Sequence, residues 1–109
     1  MAVAPHSLFA ALERARHALL QEFGRDGVTR IEYVVGFVHP YSVHPWLGTD
    51  TDEQRDSLAI RSSLSDDVGR ILLASDLPSD EVGPIGPTTV QSQQCVDRDY
   101  RGNWFYALR

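Results

Sequence analysis

The sequence predicts an α+β fold: one small domain with an antiparallel sheet of about four strands and helices packed on one face. Three observations carry that expectation. Residues 7–23 repeat apolar side chains with a helical period. Residues 28–49 and 88–108 each read as two apolar runs joined by a turn. The chain has 109 residues, 42% of them hydrophobic and 23% charged, which suits a single core. The predicted order is α-β-β-α-α-β-β, and residues 1–6 are expected to be a disordered extension.

In the first helix Leu8, Leu12, Ala15, Leu19 and Phe23 fall on one stripe, widened by Ala11 and Leu20. Ser7 is the expected N-cap and Gly24 the expected C′ residue. After the Arg25-Asp26-Gly27 turn, 28–39 alternates as a strand with Ile31, Tyr33, Val35 and Phe37 on one face. Its far half is apolar on both faces, which predicts a central strand. The chain turns at Pro40-Tyr41-Ser42 and pairs back over 43–49, where Pro45 predicts an edge or bulged strand.

Thr51-Asp52-Glu53-Gln54 fits a capping box, with two acids in the first turn to complement the helix dipole. The stripe Ile60, Leu64, Val68, Ile71, Leu72 runs on to Ala74, with a break into two helices expected near Ser65. Residues 76–87 hold three prolines, two glycines and three acids, and read as a loop open to recognition. The last hairpin is expected over 88–97 and 104–108, around an Arg101-Gly102-Asn103 turn.

Composition narrows the chemistry. All ten basic residues are Arg, which suits GC-rich bacterial coding and excludes Schiff-base chemistry and a phosphate-binding lysine. The single Cys95 cannot form an internal disulfide, and no run approaches the ~20 apolar residues of a membrane span, so a soluble cytoplasmic protein is expected. The net charge of −5 argues against nucleic acid. That charge is localised: residues 50–81 hold nine acids and three arginines, a balance of −6.

No standard catalytic or metal-binding motif is present, so no cofactor, metal or catalytic residue is expected. His39 and His44 each precede a proline and match no zinc spacing. Asp97 and Asp99 flank Arg98 and would share a face if extended. A ligand pocket between the hairpins would draw on His39, His44, Asp97, Arg98 and Asp99, walled by Tyr41 and Trp46. Trp104, Phe105 and Tyr106 are adjacent, so they cannot all face inward from one strand.

The favoured expectation is a non-catalytic protein-binding module, of an immunity or regulatory type, for a basic protein partner. Its contact residues would be Asp50, Asp52, Glu53, Asp56, Asp80, Glu81, Trp104 and Tyr106. A small enzyme or ligand-binding domain is the alternative, and a homodimer through an exposed sheet edge is a third arrangement.

Overall fold

The computed structural model describes residues 5–78 and 80–108; of the expected disordered extension 1–6, residues 1–4 lie outside the described residues and residues 5 and 6 are instead helical. It shows a small α+β domain with five α-helices and a three-stranded mixed sheet. In chain order these are α1 (Pro5–Phe23), β1 (Val28–Gly36), β2 (Ser42–Thr49), α2 (Asp52–Ala59), α3 (Leu64–Ala74), β3 (Thr89–Ser92), α4 (Gln93–Tyr100) and α5 (Trp104–Ala107).

The N-terminal half follows its sequence pattern with shifted ends. Pro5 opens α1, so Ser7 lies inside the helix and is not its cap. Gly24 begins a short 3-10 turn, and the left-handed residue is Gly27, at φ 97°. The capping box forms as read: Gln54 N–H donates to Thr51 Oγ1 at 3.2 Å, and Gln54 Oε1 accepts from Thr51 N–H at 3.1 Å. The break between α2 and α3 exists, but the residue at the cap position of α3 is Ser63, not Ser65.

The sheet order is β1-β2-β3, which reverses the expected roles of the first two strands. β2 is central despite Pro45, and β1 is an edge. β1 and β2 pair antiparallel, with Tyr33 opposite Pro45 and Val34 opposite His44. β3 joins β2 in parallel through Trp46–Thr49 and Thr89–Ser92. The reason Pro45 is tolerated lies in strand parity, because a strand residue turns its N–H and C=O to the same side. Tyr41 and Val43 bond to Glu81, Gly83 and Gly86, so odd residues of β2 face the β3 side. The missing N–H of Pro45 falls between the Gly86 contact and the start of β3, where residues 84–88 have not yet joined the ladder.

The expected final hairpin is absent. Residues 93–100 form α4 and 104–107 form α5, giving one parallel strand where two antiparallel ones were expected. Ser92 decides the outcome locally. Its backbone is extended, and its hydroxyl accepts from the Cys95 N–H at 3.0 Å as the N-cap of α4. Downstream, Gln93 and Asp97 bond one helical turn apart, Nε2 to Oδ1 at 2.9 Å. In α5, Trp104 and Ala107 are buried while Phe105 and Tyr106 are exposed, the helical alternative to strand alternation.

Helices also occupy both faces of the sheet rather than one. Ile31, Val43 and Leu47 point to the face covered by α1 and α3, in a core with Leu8, Leu12, Leu19, Val68 and Leu72. Partly buried Tyr33, on the same face, donates its hydroxyl to Leu12 O at 3.0 Å, and desolvation holds its pKa well above the ordinary value. Arg30 and Gly48 belong to the opposite face. There Trp104 lies beneath the Arg30 guanidinium, 4.9 Å from the ring centroid. Gly48 permits that approach: a Cβ would stand 3.0 Å from both Trp104 Cη2 and Arg30 Cβ. Among the described residues no helix is long and apolar enough to cross a membrane.

Candidate docking surface

The open edge of the sheet carries an aromatic row. Phe9 of α1 contacts Phe37 edge-to-face at 6.0 Å between centroids. Phe37 contacts Tyr41 at 5.9 Å, and Tyr41 contacts His39 at 6.0 Å. This row is solvated: Phe9 is 48% exposed, Phe37 57% and the adjoining Val38 85%. β1 ends at Gly36, and the chain passes through a cis His39–Pro40 peptide before β2 begins. Phe37 and Val38 follow the end of β1, and both are exposed.

The turn is anchored from below by the long loop. Tyr41 N–H donates to Glu81 O at 2.8 Å and Gly83 N–H donates to Tyr41 O at 2.9 Å. The Glu81 side chain is buried, with His39 Nε2 3.0 Å from its Oε2. The two are close but poorly aligned, and Oε2 receives no hydrogen bond among the described residues. Glu81 is thus a member of the turn's support rather than an outward-facing acid.

Beside the row, β1 has no strand partner on its outer side among the described residues. Even residues of β1 oppose the even residues of β2 that face it, so Tyr33 and Val35 turn their N–H and C=O outward. A groove lined by Phe9, Leu12, Glu13 and Arg16 of α1 and by Glu32, Tyr33 and Val35 of β1 runs along this edge. Ile31 has no exposed surface, so the edge opens only from Tyr33 onward.

The expected acidic surface is largely engaged within the chain. Asp52 accepts from the Ser92 hydroxyl and from Arg98 Nη1 at 3.0 Å, and Arg55 Nη1 stands 3.3 Å away as an ion-pair partner. The Ser92 hydroxyl and then Arg98 hold its carboxyl below the ordinary carboxylate value. Asp56 pairs with Arg55 at 3.0 Å, and Asp50 accepts from the Thr29 hydroxyl at 3.2 Å. Glu53 and Asp80 are exposed. Trp104 is 7% exposed and Tyr106 52%.

The residues of the expected ligand pocket are distributed over separate places. His39 and Tyr41 belong to the aromatic row. His44 and Trp46 line a hollow with Val34, Pro87, Thr89 and Leu108. Asp97, Arg98 and Asp99 lie on α4, where residues two apart diverge instead of sharing a face. Asp97 accepts from Gln93, Arg98 reaches Asp52, and Asp99 sits 3.4 Å from the Cys95 Sγ. Burial and then the Asp99 carboxylate raise the Cys95 pKa, the reverse of what an activated thiolate requires. Among the described residues no three His, Cys, Asp or Glu side chains are grouped to hold a metal.

Sequence reasoning passed over the residues that tie the molecule together, 91–94. Gln91 Oε1 accepts from Arg55 at 3.3 Å, and Gln93 Oε1 accepts from Trp104 Nε1 at 2.8 Å. Gln94 Oε1 accepts from the Asp52 N–H at 2.8 Å. Ser three residues before Cys95, with helix-favouring glutamines between, was the available signal for a cap. Comparison with known protein families, curated proteins and solved structures returned no match.

Proposed function

We propose that the chain is a non-catalytic protein-binding module that docks through the aromatic edge around Phe37. The observation that carries this reading is the solvated row Phe9–Phe37–Tyr41–His39, contiguous with the outer edge of β1. Exposed aromatics joined in one patch suit an interface centre, because they bury much area at little conformational cost. The residues weighed as chemical groups are, by contrast, committed to internal contacts: Asp52 to Ser92 and arginines, Asp99 to Cys95.

A photo-crosslinking amino acid placed at Phe37, and separately at Ile60, tests the reading in the cells that make the protein. Ile60 is 83% exposed and stands outside the aromatic row, so it controls for exposure alone. Covalent adducts to a protein are expected from position 37 and not from 60. Equal yields, or none at 37, would overturn the assignment.

Exposed Glu53 on α2 and Asp66 at the start of α3 favour a second reading, in which a basic protein is drawn to the acidic segment. Glu53→Arg would then slow association with that partner relative to the native chain, most strongly at low ionic strength, while leaving the folded state intact.

A further inference from the structure

We infer that the buried Glu81 carboxylate is the receptor for a basic side chain of the docked partner, an arginine by the shape of its surroundings. This rests on the docking reading and gives the partner's chemistry. Glu81 is 7% exposed, and its Oε2 accepts no hydrogen bond among the described residues. A buried carboxylate oxygen without a donor is costly, and a cation that brings N–H groups of its own removes that cost. Asp52 and Asp56, by contrast, already hold arginines of this chain.

The orphaned oxygen is aimed at the aromatic row. His39 Nε2 stands 3.0 Å from it without the alignment of a hydrogen bond, and the same ring meets Tyr41 edge-on at 6.0 Å. The His39 side chain is 57% exposed, so rotation of one surface side chain opens a path to Oε2. The main chain beneath stays fixed, because Glu81 O accepts from Tyr41 N–H at 2.8 Å, and receptor and row keep their spacing.

The surroundings select the class of cation. Residues 76–87 hold Asp76, Asp80 and Glu81 and no arginine, so this segment attracts positive charge. A metal ion would need a third ligand beside His39 and Glu81, and among the described residues no three such groups come together. A guanidinium needs no further ligand from this chain. Its planar face packs on Tyr41 or Phe37 while its N–H groups meet the carboxylate. The row then supplies contact area, and Glu81 supplies the discrimination by charge.

Titration of the full native chain with N-acetyl-arginine amide, followed by amide NMR, tests the receptor, with N-acetyl-citrulline amide as the neutral isostere. Saturable shifts at Tyr41 and Glu81 are expected at roughly 1–10 mM of the arginine amide, and none with the citrulline amide. Glu81→Gln keeps the size of the side chain and removes its charge. It is expected to weaken that binding, and to lower the yield of adducts from position 37, by about tenfold each. Its urea midpoint should not fall, because a carboxylate with no donor inside the chain loses nothing when neutralised. A lower midpoint would show that Glu81 already has its partner within the chain, and would overturn the inference. Equal response to both amides, or adducts from position 37 that Glu81→Gln leaves unchanged, would overturn it while the docking reading stands. Arginine-amide binding that depends on Glu81, with no adducts from position 37, would sink the docking reading and leave the cation receptor.

Discussion

Against one face of the sheet, α1 and α3 join a core that holds fifteen buried apolar residues among those described. The cluster around α5 on the other side holds three, Val96, Trp104 and Ala107. The smaller side compensates with polar contacts: the Ser92 cap, the three glutamine acceptors, the Asp52–Arg98 pair and Arg30 over Trp104. Apolar packing is non-directional and gives one side cohesion. Hydrogen bonds demand geometry, so the other side gains definition more than strength. The C-terminal helices are thus expected to open locally before the α1–β1–β2–α3 layer does.

The largest test of that contrast is Leu47→Ala. Leu47 has no exposed surface at the centre of β2, and truncation should cost about 2–5 kcal/mol, read as a lower urea midpoint for the whole chain. Loss confined to α4 and α5 would contradict the stated division. Gly48→Ala comes next. Its Cβ would press on Trp104 and Arg30, at a cost of about 1–3 kcal/mol, seen as a shift in Trp fluorescence before global unfolding.

Ser92→Ala removes the α4 cap and the hydroxyl on Asp52, for about 1–2 kcal/mol. Amide exchange should quicken in α4 and α5 while α1 keeps its protection, and uniform acceleration would argue against local opening. The smallest effect is pH-dependent. The folded-state pKa of Asp52 lies below its ordinary 3.8, so its contribution is present above that value and fades as pH falls through the folded pKa. Asp52→Asn should therefore flatten the acid limb of the stability curve, and an unaltered limb would show that the Ser92 and Arg98 contacts add nothing. The same contacts make Asp52 a poor choice for charge reversal aimed at a partner, and Glu53 the cleaner one.

Legibility from sequence follows the same division. The stripe of α1, the capping box at Thr51 and the β1–β2 hairpin are local patterns in which neighbouring residues carry the signal. What stayed hidden depends on distant partners. Nothing near Thr89 announces that β3 will lie parallel to β2, and nothing near Pro45 shows that its blank position faces a detour of residues 84–88. The aromatic content of 104–108 favoured strand by propensity, and burial of Trp104 against Gly48 overrode it. The candidate edge was half legible: the uncharged run from Tyr33 was visible, but its apolar faces suggested a central strand. Only the sheet order shows that the run is open.

The parallel attachment of β3 bears on how the chain is made. β1 and β2 can pair once Thr49 has left the ribosome, yet β3 is not available until residues 50–88 have followed. Throughout that interval the hairpin presents two bare edges instead of one, and the later-covered edge belongs to the strand that becomes the centre of the sheet. A nascent chain stalled in this window would be a better target for a ribosome-associated chaperone than either a shorter or a longer one.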